Sequence, residues 1–497
     1  MRLLKLPINF CLAWAVLSVL TGRAQPESPA QGDVAAFTAF LEEYIPGRMD
    51  KYEIPGAAVA LVHGGEVVYS QAFGLRDIEL NQPATDGDLW QVGSLSKSVS
   101  AWGVMKLVER GEIELEAPVE TYLESWHVPP AEFDPSQVTI RRLLTHTGGL
   151  SITPYAGLPK GTLAPSLPEF FQLAAEQGSP LYVQYPPGEE FRYSDNHYHL
   201  LQLVIEDMTG EPFPDFMRRE ILQPLGMLDS WYEFTPEVES RMGWGYNSLF
   251  EGLDEYSYTQ KAAAGLFTSV QDMGRYASAI IPGPNGEPVG RGALKAETVS
   301  QMLAPQVELA GFEQLLFNGD YGYGYIREQL PGGLTVYSHP GGNPGWIAEL
   351  AIIPSSSDGL VVFTNIAHGY VLFAAVMDQW MKWLGNPRPH ISSLILASGV
   401  VFDVAGFLLV GGALVLLVSL AAAVWKGGRI LAIRDVFRPA WRGVLLVVLP
   451  LLALMVWWLV FYPRYMISAP YQRDLLGVGV ALLVLGLVGF GLTRKHN

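Results

Sequence analysis

The 497-residue sequence contains a single cysteine, Cys11, which lies in the apolar N-terminal segment. One cysteine excludes an intramolecular disulfide framework, and a chain of this length needs none to bury a core. Charged residues are also few, at 16%, against 49% hydrophobic residues. This composition is too apolar for an ordinary soluble protein, and the apolar excess lies at the two ends of the chain.

Basic residues are scarce in the central part of the chain. Residues 25–391 carry 46 acidic side chains but only 20 basic ones. Such a surface argues against nucleic acid and anionic lipid as binding partners, because both attract positive charge. The acidic excess indicates either solubility in salt or a preference for cationic substrates.

Two common hydrolase motifs are absent. There is no H-E-x-x-H, no cluster of aspartates and no cysteine pair, so His197 and His199 are explained as polar groups on a helix face rather than as metal ligands. There is also no G-x-S-x-G, the strand-to-helix elbow of α/β-hydrolases. We therefore expect no metal and no other cofactor.

Residues 1–24 have the pattern of a secretory signal peptide. Arg2 and Lys5 precede an apolar run at 10–20, and small residues lead up to a cleavage site near Ala24. An uncleaved anchor helix is the alternative, although the run is shorter than a bilayer span requires. Under either interpretation the following domain is exported.

Three apolar runs near the C-terminus, at 404–424, 444–461 and 475–492, each have roughly the twenty residues needed to cross a bilayer. Buried helices of a soluble domain are the alternative. We expect residues 392–497 to form a three-helix transmembrane domain, with the lipid bilayer as its partner.

Orientation follows from the basic residues that flank these runs. They are Lys426, Arg429, Arg434, Arg438 and Arg442 between the first two runs, and Arg494 and Lys495 after the third. Basic segments stay on the cytoplasmic side. The sequence thus predicts a multi-pass protein of the bacterial inner membrane, with residues 25–391 in the periplasm or outside.

Hydrophobic periodicity predicts an α/β (α+β) architecture. It indicates helices at 33–49, 96–109 and 369–384, and strands at 58–62, 67–72, 334–338, 347–353 and 360–364. Between 117 and 220 only short helical runs and loops are indicated. Strands near both ends of this region imply one antiparallel sheet that is built from both chain ends and flanked by helices. The segment between them is predicted to be an all-helical insertion.

Ser94 and Lys97 form an S-x-x-K motif at a strand-to-helix junction. A serine hydroxyl becomes a nucleophile only when a base takes its proton, and a residue three positions along a helix lies within about 5–6 Å at Cβ. We expect burial and the helix N-terminus to lower the pKa of Lys97, so that its amine can be neutral. The motif alone arises about once by chance in a chain of this length, so a surface Ser/Lys pair is the alternative.

Further motifs accompany S-x-x-K. Tyr193 begins a Tyr-Ser-Asp sequence, and His339 begins a His-Pro-Gly-Gly sequence at the end of a predicted strand. With the segments 143–150, 223–227 and 264–266, the chain resembles the serine β-lactamase and penicillin-binding-protein family. The class C β-lactamase-related branch is the more similar one, over about residues 36–384. The resemblance implies a β-lactamase/transpeptidase-like sheet flanked by helices.

The resemblance also implies the roles of individual residues. Ser94 would be acylated, while Lys97 and Tyr193 share proton transfer. The backbone N–H groups of Ser94 and Gly342 would form the oxyanion hole. A core tyrosine without a catalytic role is the alternative for Tyr193.

Asp195, His339, Gly341 and Asn343 would then contact the substrate, and two of them depart from the family pattern. Asp195 stands where the family usually has asparagine, and His339 where a K-T-G motif has lysine. Lysine is a permanent cation suited to a substrate carboxylate, whereas histidine is mostly neutral at pH 7. An amide or ester of a small molecule or short peptide is therefore the expected substrate class, rather than a β-lactam.

Two other functions remain open. The layout resembles the membrane-anchored peptidases that mature colibactin-like prodrugs by removing an N-acyl-D-asparagine cap, and Asn343 matches an asparagine of that subgroup. Asp195, however, replaces the small residue expected there, and layout alone is an analogy between folds. The second alternative is a non-hydrolytic penicillin-binding or peptidoglycan sensor that signals through the spans. The sequence leaves the oligomeric state open.

Overall fold

The computed structural model describes residues 29–154, 157–254, 256–427, 429–431, 478–486 and 493–495. The predicted signal peptide at 1–24, with Cys11, and the predicted span at 444–461 lie outside the described residues. The predicted span at 475–492 is described only at 478–486, where it is helical.

Sixteen strands are described, most of them short. In chain order they are β1 (Gly56–His63), β2 (Glu66–Asp77), β3 (Gln82–Pro83), β4 (Trp90–Gln91), β5 (Ser230–Trp231), β6 (Gly245–Tyr246), β7 (Gly252–Leu253), β8 (Phe267–Thr268), β9 (Val307–Glu308), β10 (Asp320–Tyr321), β11 (Ile326–Gln329), β12 (Thr335–Asn343), β13 (Trp346–Ile353), β14 (Asp358–Thr364), β15 (Arg429–Leu431) and β16 (Thr493–Lys495).

Nine of these strands form one antiparallel sheet in the order β3-β2-β1-β14-β13-β12-β11-β10-β9. Its two halves come from opposite ends of the domain and meet where β1 pairs with β14, with Val59 opposite Val362. The prediction of a single antiparallel sheet assembled from both chain ends is confirmed.

The β1–β2 hairpin turns through Gly64 and Gly65, whose φ angles are +63° and +78°. A two-residue hairpin turn needs left-handed backbone at both central positions, which glycine adopts without steric cost. The Gly-Gly sequence therefore joins β1 and β2 in a tight hairpin, with His63 opposite Glu66.

Thirteen helices are described with complete bounds. They are α1 (Val34–Tyr52), α2 (Ser96–Glu109), α3 (Ile140–Leu144), α4 (Leu167–Glu176), α5 (Asn196–Thr209), α6 (Phe213–Met217), α7 (Pro236–Arg241), α8 (Lys261–Ala264), α9 (Val270–Ala279), α10 (Ala296–Leu303), α11 (Gly311–Phe317), α12 (Tyr370–Trp383) and α13 (His390–Trp425).

Helices cover both faces of the sheet. Because successive residues of a strand point to opposite faces, Val59 packs with α1 and α12 while Ala60 packs with α2 and α9. Between residues 117 and 220, the described part of the chain contains helices and turns but no named strand. The predicted all-helical insertion is confirmed, and it lies beside α2.

Helix α13 is 36 residues long and much longer than the apolar run at 404–424 that predicted it. It is the one described helix long and apolar enough to cross a membrane, and only 6% of its most apolar window is buried. It begins at His390, so it also passes through the predicted domain boundary between 391 and 392. Its first turns pack on the domain through Ile391 and Ile395.

Candidate active site

Ser94 lies in a single 3₁₀ turn, Gly93–Leu95, that leads from β4 into α2. Its side chain is half-buried, whereas Lys97, in the first turn of α2, is completely buried. The Lys97 Nζ atom lies 3.1 Å from Ser94 Oγ and also donates to the carbonyl of Ala263 at 3.0 Å. The two residues of the S-x-x-K motif are therefore in direct contact.

The helical insertion supplies two further groups to this pair. The Tyr193 ring centroid lies 5.0 Å from Lys97 Nζ, and the Tyr193 hydroxyl helps to raise the pKa of Lys97. Asp195, at the start of α5, places a carboxylate oxygen 2.6 Å from Lys97 Nζ. The structure thus brings together a hydroxyl nucleophile, an amine, a phenol and a carboxylate.

The protonation of Lys97 differs from the prediction. Burial alone would lower the pKa of Lys97, but the Asp195 carboxylate and the Tyr193 hydroxyl outweigh burial, so the pKa is raised. Burial likewise acts to raise the pKa of Asp195, yet the Lys97 ammonium holds that pKa below its ordinary value. The expectation that the pKa of Lys97 is lowered is therefore wrong, because a carboxylate from a distant segment pairs with its amine.

Strand β12 runs directly against the turn that carries Ser94. A Cβ atom at Gly341 would lie 1.9 Å from the carbonyl oxygen of Val92, and one at Gly93 would lie 2.5 Å from the backbone nitrogen of Gly342. Gly93 also has a φ angle of +50°. Glycine at these positions lets two backbone segments touch, which brings the Gly342 backbone beside the nucleophile turn.

The side chains of His339 and Asn343 point into the protein. His339 is 1% exposed and its Nε2 lies 3.1 Å from the Tyr321 hydroxyl. The Asn343 amide donates to Gln91 Oε1 at 2.8 Å and to the carbonyl of Ala264 at 3.1 Å.

Among the four residues predicted to bind substrate, only Asp195 has a partly exposed side chain, at 23%. Burial, followed by the nearby Lys97 ammonium, lowers the pKa of His339 to about 3, so its imidazole is neutral at physiological pH.

His146 belongs to the site but was not among the predicted site residues. Its ring centroid lies 4.4 Å from that of Tyr193, and its Nδ1 faces the backbone N–H of Ser194 at 3.4 Å. Its φ angle is +55°, a left-handed conformation that is uncommon for residues other than glycine. The sequence feature that points to His146 is its position within residues 143–150, one of the segments that carry the resemblance to the family.

His197 and His199 are both buried in α5, as expected for polar groups on a helix face. His197 Nδ1 lies 3.0 Å from the carbonyl oxygen of Ser194, and His199 Nδ1 lies 3.0 Å from Asn196 Oδ1. Within the residues that the structure describes, no group of three or more histidine, cysteine, aspartate or glutamate side chains is arranged to hold a metal ion.

Comparison with known proteins agrees with this geometry. The chain is 31% identical over 206 residues to esterase EstB of Burkholderia gladioli, a match that covers 40% of this chain and 52% of the esterase. It therefore spans about half the length of that relative. It is 27% identical to penicillin-binding protein 4 of Amycolatopsis lactamdurans, over 70% of this chain and 90% of the relative.

A solved structure and a family model also match this chain. The octameric penicillin-binding protein homologue from Pyrococcus abyssi superposes with a TM-score of 0.60 at 27% identity, covering 70% of this chain and 78% of that one. The model of the beta-lactamase family matches residues 41–376, which include every residue of the site described above. The chain belongs to the beta-lactamase family of serine hydrolases.

Proposed function

We propose that the protein cleaves an amide or ester bond of a small molecule or short peptide through an acyl-enzyme on Ser94. The observation that carries this proposal is the contact of Ser94 Oγ with Lys97 Nζ at 3.1 Å, with the Tyr193 ring centroid 5.0 Å from the same Nζ. A nucleophile, a proton acceptor and a third group that orients them are the parts that acyl transfer by serine requires.

The chemistry proceeds in two halves. Ser94 Oγ bonds to the substrate carbonyl carbon while its proton passes to Lys97 or Tyr193, and the same proton then goes to the departing nitrogen or oxygen as that bond breaks. Water repeats the sequence on the acyl-enzyme and releases an acid. Backbone N–H groups of Ser94 and Gly342 would stabilise the oxyanion, each by about 2.7–4 kcal/mol.

The ion pair between Lys97 and Asp195 determines how Lys97 becomes available as a base. Lys97 is an ammonium paired with Asp195 in the free enzyme, so it must lose a proton before it can accept one from Ser94. Transfer of that proton to Asp195, to Tyr193 or to solvent leaves the amine 3.1 Å from the nucleophile. Acylation therefore depends on how strongly the carboxylate holds the lysine in its charged form.

The substrate class follows from the side chains available at the site. A neutral, buried His339 offers no cation for a substrate carboxylate, which supports an ester or an amide without a free carboxylate over a β-lactam. Both hydrogen bonds donated by the Asn343 side chain are used internally, so it supports the scaffold more than recognition of a D-asparagine cap. The intact nucleophile and its partners favour turnover over a purely sensory role.

We also propose that residues 25–391 lie in the periplasm and that residues 392–497 anchor them in the bacterial inner membrane with three spans. The exposed apolar helix α13 supports the first span. Gly479 and Gly486 lie close to Leu409 and Leu416 of α13, as small residues do at packed membrane helices.

Labelling with a fluorophosphonate probe tests the nucleophile. We expect the wild-type protein to be labelled and to hydrolyse p-nitrophenyl butyrate, and Ser94→Ala to do neither. Lys97→Ala should remain folded and lose turnover, because it removes the amine that lies 3.1 Å from Ser94 Oγ. Equal labelling of wild type and Ser94→Ala would refute the assignment of Ser94, and acylation without turnover in the wild type would favour the sensor.

A further inference from the structure

We propose that Asp195 selects substrates whose acyl portion carries a positive charge, and that this charge releases Lys97 to act as the base. The proposal rests on the function proposed above, because it assigns a substrate class to the same site. It goes beyond that function by making one carboxylate both the recognition group and the control on the catalytic lysine.

The orientation of the Asp195 side chain is the first observation. An aspartate at a helix N-cap normally accepts a hydrogen bond from the first turn of the helix. Asp195 is the N-cap of α5 but makes no such bond. Its Oδ1 is buried and lies 2.6 Å from Lys97, while the side chain as a whole is 23% exposed. The remainder of the carboxylate is therefore open to a ligand next to the nucleophile.

The charge around this carboxylate is the second observation. Lys97, His197 and His199 act on Asp195, and burial lowers the pKa of the two histidines to about 4 and about 3. Both imidazoles are neutral at physiological pH, and so is His339. The Lys97 ammonium is completely buried and paired with Asp195, so the cluster offers no exposed cation to an anionic acyl group. The exposed part of Asp195 offers a negative partner to a cationic one.

The coupling between recognition and catalysis follows from electrostatics. Asp195 stabilises the ammonium form of Lys97. A substrate cation bound to the exposed oxygen competes for that carboxylate and adds positive charge nearby, and both effects favour the neutral amine of Lys97. A neutral substrate leaves the ion pair intact. A cationic substrate is therefore both bound more tightly and attacked by a better activated serine.

Three p-nitroanilides of D-alanine, whose N-terminal group is cationic, neutral or anionic, test this inference. They are D-alanine p-nitroanilide, its N-acetyl derivative and its N-succinyl derivative, assayed on the full-length protein at about pH 6.5, where an α-amine is protonated. We expect kcat/KM of the wild type to favour the cationic compound over the neutral one by roughly tenfold to a hundredfold, the range of a hydrogen bond to a charged group. The N-succinyl compound should be the poorest substrate.

Substitutions of Asp195 and of a distant glutamate test whether the preference for a cationic substrate comes from Asp195. Asp195→Asn should bring the ratio of cationic to neutral kcat/KM close to one. Asp195→Glu keeps the charge and should keep the preference, which guards against a loss of selectivity caused by misfolding. Glu43→Gln removes one exposed charge from α1, away from the site, and should leave the ratio unchanged.

The outcomes separate the two proposals. A wild-type ratio near one, or a ratio that Asp195→Asn preserves, overturns the role of Asp195 while the hydrolase stands. Absence of p-nitrophenyl butyrate hydrolysis in the wild type, or its persistence in Ser94→Ala, overturns the proposed hydrolase itself. A fall of the ratio in Glu43→Gln would assign the preference to general surface charge and would also overturn the role of Asp195.

Discussion

At the scale of single residues, the site depends on contacts between segments far apart in the chain. Lys97 and Asp195 are separated by 98 positions but lie 2.6 Å apart. The motif spacing predicted the contact of Lys97 with Ser94, because that contact is local to one helical turn. It could not predict the charge of the lysine, because that depends on a carboxylate delivered by another element. The inward orientation of His339 and Asn343 was equally inaccessible, since it depends on the packing of β12.

His146 gives the first prediction, which separates its ring from its hydrogen bond. His146→Asn keeps an acceptor for the N–H of Ser194 and tolerates the left-handed backbone, but it removes the ring beside Tyr193. We expect near-wild-type stability and a clear fall in kcat. His146→Phe keeps a ring, leaves the buried N–H of Ser194 without an acceptor and should cost about 1–3 kcal/mol of unfolding free energy.

Urea unfolding and p-nitrophenyl butyrate kinetics measure these two effects separately. If His146 were merely a packing residue, the phenylalanine variant would keep kcat and the asparagine variant would lose stability, the reverse of the expected order.

At the scale of elements, the contact between β12 and the nucleophile turn depends on glycine. Gly341→Ala would place a methyl group 1.9 Å from the carbonyl oxygen of Val92 and force the strand away. The Gly342 N–H would move with it. We expect kcat to fall about 10²- to 10³-fold, as when an oxyanion-hole donor is removed.

Gly47→Ala provides the matched control for Gly341→Ala. Gly47 lies inside α1, with open space around its Cβ position. Alanine there should preserve kcat and stabilise the protein by about 0.5–1 kcal/mol. Comparable activity losses in both variants, measured with p-nitrophenyl butyrate, would contradict a specific role for the strand contact.

The junction of β11 with α13 gives a pH-dependent prediction. The backbone N–H of His390, at the start of α13, donates to both carboxylate oxygens of Glu328, at 2.9 and 3.2 Å. Burial nevertheless raises the pKa of Glu328 to about 7. Between the ordinary pKa of a glutamate, about 4.3, and this value, the folded protein binds more protons at Glu328 than the unfolded chain does. The contribution of Glu328 to the free energy of unfolding is therefore complete below this pH range and is lost as pH rises to about 7.

Comparison of wild type with Glu328→Gln isolates this contribution. The glutamine variant should lack it, so the difference in unfolding free energy between the two proteins should change by up to about 3 kcal/mol between about pH 4.5 and 7.5. Chemical unfolding of the full-length protein in detergent at several pH values measures the difference. A difference that is constant across this range would contradict the raised pKa.

Strongly patterned elements were predictable, and short ones were not. Helix α2 was predicted at its observed bounds, because an apolar run without proline ended at a glycine. The two-residue strands β9 and β10 at the edge of the sheet were missed. A strand of two residues has no period of its own. Strand β10 forms because β11 offers it unpaired backbone groups, and β9 in turn pairs with β10.

At the scale of the whole molecule, the catalytic domain and the apolar C-terminal region are joined by one continuous helix. The change in composition near residue 392 was the basis for predicting that the apolar C-terminal region begins there. It could not show that α13 starts two residues earlier and packs Ile391, Ser392 and Ile395 against the domain, because those contacts depend on the folded surface of α12. The first turns of α13 thus belong structurally to the catalytic domain.

Two truncated chains, ending at Gly399 and at Pro389, test whether the first turns of α13 belong to the catalytic domain. A chain ending at Gly399 retains the buried Ile391 and Ile395 and the bonds of His390 to Glu328, and it lacks the predicted spans. We expect it to be recovered from the soluble periplasmic fraction with full activity on p-nitrophenyl butyrate, whereas the full-length protein sediments with membranes.

A chain ending at Pro389 loses two buried isoleucines, each worth about 1.5–3 kcal/mol, and should unfold at a lower temperature. Ile395→Ala in the longer chain should reproduce part of that loss. Equal thermal stability of the two truncated chains would show that the domain ends before α13. Membrane retention of the longer chain would show an anchor within residues 1–399, either the start of α13 or an uncleaved N-terminal helix.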